Sequence, residues 1–487
     1  MAGSLGLGLT SLSLTIWIGL IVFWGRFWWC DQRLEEKKAE GRRQKAGGRR
    51  QKAEYRSQNT GGRRQEAGGR IQESEGIENC STEVSTERLD DSTERSAEVR
   101  IAHERPKSKI QDPKSESEWP FVCAVVPARN EAEVIPQTLR SLLAQDYPGK
   151  FQIILVDDQS TDGTDNLARE LAANMGQSSK LTVINAEPLP AGWTGKLWAM
   201  EQGDRHAQTL TPVPDYILFT DADIAHSPNN LSQLVNKAQR DDLDLVSLMV
   251  LLRCQSFWEK LLIPAFVFFF QKLYPFPLVN NPKSPIAAAA GGCILIRHSA
   301  LSAIGGLQIL RQALIDDCSL AKAIKQLANH SPKIQNPKSK IQNPKSSPTG
   351  KIWLGLTQTT HSLRPYDSLQ TIWAMVARTA YTQLNYSPWL LIGALVGMTL
   401  VYLVPPMGAI AGSVFGLLTG EWAIALLGGA GWAFMSLAYL PTLRLYRISL
   451  LWALCLPAIA VLYNLMTLDS ALRHWRGQGG AWKGRTY

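Results

Sequence analysis

The sequence predicts an α/β fold with a mostly parallel sheet, carried between transmembrane helices at its N- and C-terminal ends. Three observations predict it. Apolar runs of strand length, "FVCAVV", "FQIILV", "LTVIN" and "YILFT", alternate with helix-like stretches such as "EAEVIPQTLRSLLAQ" and "DNLARELAANM". Strands separated by helices of this length fit crossover connections between parallel neighbours. An uncharged N-terminal run and three uncharged C-terminal blocks are long enough to cross a bilayer. Polar clusters stand at the strand ends, the edge where open α/β sheets bind their ligands.

The chain of 487 residues has room for two or three domains. No charged side chain occurs from Met1 to Gly25, and ten Lys or Arg follow between Arg26 and Lys52. Basic residues collect on the cytoplasmic side, so residues 1–30 are expected to be an anchor with its N-terminus outside. A cleaved signal peptide fits less well, because no basic segment precedes the apolar run and no small-residue cleavage site follows. Residues 31–118 are polar and repeat themselves, "GRRQKAGGRRQKAE" then "GGRRQEAGGR", the composition of a disordered linker. "PKSKIQDPKS" at 106–115 returns as "PKSKIQNPKS" at 337–346. Such a copy beside unrelated sequence reads as inserted repeat, so 331–349 is assigned to a surface loop.

The seven cysteines are scattered and form no C-x-x-C pair, which fits buried thiols in a reducing compartment. The net charge of +9 comes largely from residues flanking apolar segments. It suits a membrane surface and not nucleic acid.

The α/β region, 119–386, carries four clusters at strand ends. "VVPARNEAE" brings Pro127, Arg129 and Glu131; "LVDDQSTDGT" brings Asp157 and Asp158; "GWTGKLWA" brings Lys196; "FTDAD" brings Asp221 and Asp223. Each alone has a plainer reading: Asp158 as a helix cap, Lys196 as a solvated lysine. Their succession along the strand ends favours a rim for a nucleotide sugar. Carboxylates there can accept hydrogen bonds from a base N–H or from ribose hydroxyls. Mg²⁺ or Mn²⁺ takes one or two carboxylates plus diphosphate oxygens, and Asp221 with Asp223 would supply them. Further on, the small residues of "AAAAGGCILIR" allow close approach of backbone to a ligand. In "ALIDDCSLAKAIK", Asp316 and Asp317 open a helix. They either complement the helix dipole or include the general base that sugar transfer to a hydroxyl requires.

This series resembles the family 2 glycosyltransferases of GT-A fold, most closely the hopanoid-associated (hopene-associated) membrane glycosyltransferases. "FWEKLLIPAFVFFFQKLYPFPLVN", "AAAAGGCILIR", "LIDDCSLA", "SLRPYDSLQTIWAMVARTAYTQL" and the terminal "GGAWKGRTY" carry the resemblance, which covers roughly 119–330 and 350–487. It implies that Asp158, with Asp157, contacts the nucleotide, that Asp221 and Asp223 form the metal-binding motif, and that Asp317 is the base. It also implies an inverting, non-processive, metal-dependent transfer to a lipid. Processive members carry Q/R-x-x-R-W after the base; here "ARTAYTQL" offers only Arg378 and Tyr381 to the acceptor side.

"LLIPAFVFFF", 261–270, is too short to span, so 257–278 is expected to lie in the membrane interface, with a buried core helix as the alternative. "DSLQTIWAMVARTAYTQL" has apolar residues at helical spacing and Asp367 as its expected cap. The region 387–468 is expected to be transmembrane and 469–487 a basic cytoplasmic tail. Three simple spans would put that tail outside. Either the first block is a hairpin broken at Pro405-Pro406, or the block with Pro457 does not fully cross. Two rival functions stand beside the transferase: a haloacid-dehalogenase-like phosphatase, whose first motif is also a strand ending in D-x-D, and a non-enzymatic membrane scaffold.

Overall fold

The computed structural model describes residues 2–34, 119–330, 348–478, 481–482 and 485–486. The expected linker therefore lies outside the described residues from 35 onward, as does the inserted repeat over 331–347.

Helix α1 (Ala2–Phe23) leads to a short segment that joins the sheet, where the N–H of Leu34 donates to the carbonyl of Leu356 and that of Leu356 to Gln32. Residues 31–34, assigned from sequence to the linker, thus belong to the folded body. Leu34 is buried there, which supplies the apolar contact that the polar residues after it cannot.

The α/β part runs β1 (Val122–Ala128), α2 (Ile135–Leu143), β2 (Phe151–Asp157), α3 (Thr164–Asn174), β3 (Leu181–Asn185), α4 (Gly195–Gln208) and β4 (Tyr216–Thr220). Next come β5 (Ile224–Ala225), α5 (Asn230–Arg240), β6 (Leu245–Leu251), α6 (Phe257–Leu273) and α7 (Phe276–Val279). The last part is β7 (Cys293–Arg297), α8 (His298–Ala303), α9 (Asp316–His330) and β8 (Ile352–Ser362). The sheet order is β3-β2-β1-β4-β7-β6-β8-β5. Four of its seven pairings are parallel, so the sheet is mostly parallel as expected. β7 runs antiparallel between β4 and β6. From β1 the chain moves outward to β2 and β3, then returns to place β4 on the other side of β1. That reversal leaves a crevice beyond the ends of β1 and β4.

α6 corrects an expectation. The 257–278 segment was assigned to the membrane interface, yet Leu262, Ile263, Ala265, Val267 and Phe268 are all 0–1% exposed. Both faces of the helix are taken by protein: Phe268 packs on Phe27 and Tyr439, and Phe269 on Tyr402 and Tyr463. Its start is a capping box between Ser256 and Glu259.

After β8 come α10 (Leu369–Ala377), α11 (Ala380–Gln383), α12 (Pro388–Met398), a π turn (Thr399–Leu403) and α13 (Val404–Thr419). They are followed by α14 (Ala423–Leu445), a 3-10 turn (Leu450–Cys455) and α15 (Leu456–Trp475). The cap of α10 is Ser368, whose hydroxyl accepts from the Thr371 N–H; Asp367, expected there, pairs with Arg253 at 2.6 Å instead. Among the described residues, four helical stretches are long and apolar enough to cross a membrane: 3–23, 388–419, 423–445 and 450–475. The stretch 388–419 is one continuous rod, so Pro405-Pro406 does not break it into a hairpin. The missing proline N–H groups fall where the helix already widens into a π turn, which absorbs them. α13 and α14 touch backbone to backbone: a Cβ on Gly412 would meet the Ala425 nitrogen at 2.4 Å, and one on Gly428 the Ala409 nitrogen at 2.4 Å. Small residues allow this approach. α15 runs to Trp475, so the first residues of the expected tail are helical.

Candidate active site

β1, β2 and β4 are parallel and end at one edge, because their buried side chains lock the register Val125–Phe219 and Ala128–Asp157. The residues just past these ends open on a cleft of about 700 Å³. Pro127 and Glu131, Lys196, Asp221, Asp223 and Asp316 line its inner part; Arg378, Tyr381, Arg473 and His474 line its outer part.

Charge alternates across the inner part. The Lys196 ammonium lies 2.8 Å from Asp221 and 3.7 Å from Asp316. Burial works against its charge, but the two carboxylates outweigh burial and hold its pKa above that of an ordinary lysine. Burial raises the Asp221 carboxyl, and Asp223 nearby adds to the rise against Lys196. Asp223 accepts from Arg364 Nε at 2.8 Å, and the same guanidinium donates to both oxygens of Glu131 at 2.7 and 2.9 Å. Arg364 thus ties the loop after β1 to the turn after β4. Sequence reasoning did not single it out: it is 141 positions from Asp223, and only the fold joins them.

Asp316 faces the cleft, whereas Asp317 sits beside Gly291. The Gly291 N–H donates to one Asp317 oxygen at 2.9 Å and the Cys318 N–H to the other at 2.7 Å. Gly291 explains the small residues of "AAAAGG": a Cβ there would lie 3.3 Å from Lys196 Nζ and 3.5 Å from the Asp317 carboxylate. Burial, with Asp316 next, raises the Asp317 pKa to about 6.

The expected nucleotide contacts divide. Pro127, Glu131, Lys196 and Asp221 are in the cleft wall; Arg129, Asp157 and Asp158 do not line it. Asp158 is 1% exposed and its carbonyl accepts from Arg129 at 2.6 Å. Asp157 accepts from the Ser160 N–H at 3.1 Å through one oxygen, while the other is buried with no partner among the described residues. His226, just past the two carboxylates, is bracketed by Thr220 at 2.9 Å and Asn230 at 3.0 Å. Burial lowers its pKa to about 3, so it is a neutral strut under the turn.

On the outer side Arg378 lines the cleft as expected. The Tyr381 hydroxyl is already used, donating to the Tyr386 carbonyl at 2.7 Å, and its ring packs on Tyr386, His474 and Trp475. Tyr381 therefore shapes the wall. Arg473 and His474 were not foreseen; they sit in what the sequence marks as a tail, and α15 carries them into the cleft.

Residues 123–305 match the model of glycosyl transferase family 2. The beta-monoglucosyldiacylglycerol synthase of Nostoc sp. is 30% identical over 146 residues, which are 29% of this chain and 29% of that protein. The undecaprenyl-phosphate 4-deoxy-4-formamido-L-arabinose transferase of Shewanella sediminis is 31% identical over 121 residues, 24% of this chain and 33% of that protein. The 4,4'-diaponeurosporenoate glycosyltransferase of Staphylococcus haemolyticus is 32% identical over 103 residues, 21% of this chain and 24% of that protein. The matches thus span a third or less of these relatives' own lengths. A solved mannosyltransferase of Pyrobaculum calidifontis, in complex with GDP-Man and Mn²⁺, superposes over 76% of this chain and 91% of its own with a TM-score of 0.40 and 17% identity. The segment that matches the glycosyl transferase family 2 model, 123–305, is the one that carries the strand-end rim around Lys196, Asp221 and Asp223.

Proposed function

We propose that the chain is a membrane-bound inverting glycosyltransferase that moves a sugar from a nucleoside-diphosphate donor, foremost a uridine diphosphate sugar, to a lipid. A hopanoid or another polycyclic or polyprenyl lipid is the proposed acceptor, and the catalytic domain is proposed to face the cytoplasm. One observation carries the reading: a single cleft joins the strand-end carboxylates to the end of an apolar helix, Leu456–Trp475. Three relatives point the same way, since their names specify a diacylglycerol, a carotenoid acid and an undecaprenyl phosphate.

The donor diphosphate would lie against Lys196, whose charge is maintained by Asp221 and Asp316. Asp317 is the proposed base. Two backbone N–H groups fix its carboxylate, and a pKa of about 6 leaves it ionised at neutral pH yet basic enough to take the acceptor's proton. Asp316, on the cleft side, raises the pKa of Asp317 and holds Lys196. One base with no carboxylate nucleophile implies single displacement and inversion.

Asp221 and Asp223 fit a hard divalent cation, Mg²⁺ or Mn²⁺. They are two carboxylates one residue apart on a cleft, and among the described residues no cluster of three or more His, Cys, Asp or Glu forms a full cage. Such a pair leaves the other positions for substrate oxygens. A cation held there would neutralise charge on the departing nucleoside diphosphate. Arg364 holds Asp223 in place for it. The test is transfer by Asp223→Ala and by the wild type in excess EDTA. Both are expected to lose transfer with the fold intact; full activity in either overturns the metal assignment.

A further inference from the structure

The last apolar stretch, Leu450–Trp475, has the length and apolar composition of a span, with 26 residues. Its contacts describe something else. α14 ends on the α/β domain, where Gln358 of β8 donates to the Leu445 carbonyl at 2.9 Å. From there the chain turns back only a short way. The Ala453 carbonyl accepts from Ser436, which lies nine positions before the end of α14, at 3.4 Å. Trp452 meets Phe257, the first residue of α6, edge to face with ring centroids 5.7 Å apart.

α15 then travels along the domain and not away from it. The Tyr463 hydroxyl donates to the Leu262 carbonyl of α6 at 2.9 Å. Asp469 accepts from Trp373 of α10 at 2.7 Å, and the Ser470 hydroxyl accepts from the Tyr381 N–H at 3.0 Å. Arg473 ends in the cleft. The middle and end of α15 touch elements of the catalytic side, while its flank runs along α12 and the π turn of the 388–419 rod. The opposite end of the bundle is marked by Gly6 against Ile424, at the turn between α13 and α14. α15 packs chiefly on α6, α10, α11, α12, the π turn and the 3-10 turn.

The surface of α15 is one-sided as well. Val461, Leu465, Leu468, Leu472 and Trp475 are 36–55% exposed. Spaced by four, three, four and three, they form a single stripe, opposite the buried Ile459, Tyr463, Met466 and Ser470. A stripe of this kind on a helix ending in Arg473 and Arg476 fits the boundary between headgroups and acyl chains.

We infer that Leu450–Trp475 is re-entrant: it enters one leaflet and returns to the catalytic side, with this stripe among the acyl chains. The chain then crosses the membrane three times, and its C-terminus stays on the side of the catalytic domain. The occupant of the stripe is the lipid leaflet itself. This arrangement removes the conflict between three C-terminal spans and a basic tail. It also sets the membrane boundary against the outer part of the cleft, where Ser470, Arg473 and His474 stand. The inference rests on the chain being a membrane protein, but not on what it transfers.

The test is sidedness in sealed vesicles of known orientation. The full chain carries Glu421→Cys in the far turn and an epitope tag after Tyr487, and carbonate extraction first shows that it is integral. The expected result is that an impermeant maleimide reaches Cys at 421 from one face, while protease reaches the tag and the catalytic domain from the other. A tag on the face opposite the catalytic domain overturns the inference. If all three are reached from one face, or the chain is extracted by carbonate, the membrane reading falls together with it.

Discussion

Replacing Asp317 by Asn keeps the shape of the side chain and removes the lone pair that would take the acceptor's proton. Loss of a positioned base costs about 10²–10⁴ in turnover. The structure adds a pH dependence to that number. Burial and Asp316 put the wild-type pKa at about 6, so below it the base is protonated and inactive. Turnover under saturating donor should rise with pH through about 6, and near pH 5 it should be about one-tenth of its plateau, the fraction still ionised. The Asn variant should lack this ascending limb and be uniformly slow. Because its native pKa lies above that of an unfolded aspartate, ionised Asp317 works against folding at neutral pH. Asp317→Asn removes that cost but turns its NH₂ toward one of the two N–H donors, Gly291 or Cys318, so turnover and not melting is the readout. The assay is sugar transfer to lipid across the pH range, with donor binding measured in parallel and expected to change little. A variant with near-normal turnover and the wild-type pH limb would refute the reasoning. If Asp316→Asn alone abolished turnover, the base would be the residue facing the cleft.

Arg364→Ala removes the guanidinium that Glu131 and Asp223 share, where their side chains are 9% and 10% exposed. Breaking such a pair costs about 3–5 kcal/mol when fully buried, and about 2–4 kcal/mol here because the guanidinium is partly solvated; chemical denaturation measures it. Glu259 is 0% exposed and accepts from Arg253, Gln255, Ser256 and Tyr366, so Glu259→Ala should cost about 3–5 kcal/mol and loosen the segment bearing Arg364. Deleting 331–347 should leave melting and transfer largely unchanged, since the repeat has no periodic apolar face; loss of folding on clean deletion would contradict its assignment as an insertion. Gly291→Val should weaken donor binding and depress turnover together, because the side chain would push against Lys196 and the Asp317 carboxylate; donor Kd and kcat read the two effects.

Much of this architecture is written in local pattern. "YILFT" ending in Asp221 is legible because an apolar strand must stop where charge begins, and "DDCSLAKAIK" because acidic residues suit a helix start. Strand direction is not local, so "CILIR" reads as a strand without revealing that it runs antiparallel between β4 and β6. "IWLGLTQTTHS" stood unmarked because its alternation fails at Gly355 and it pairs with residues a hundred positions away. "LLIPAFVFFF" has no polar face, and a helix without one is buried by whatever surrounds it; composition does not distinguish lipid from protein. Arg364, Arg473 and His474 reach the cleft through tertiary placement, and nothing beside them in the chain announces it.

The central claim is that this cleft transfers a sugar from a nucleoside diphosphate to a lipid. Its most direct test uses the purified full chain in lipid vesicles, with sugar-labelled nucleotide donors, Mn²⁺ and membrane lipid extract. Label should enter the organic phase in proportion to the nucleoside diphosphate released, with the anomeric configuration inverted. Release of inorganic phosphate without labelled lipid, or a product of retained configuration, would contradict the account.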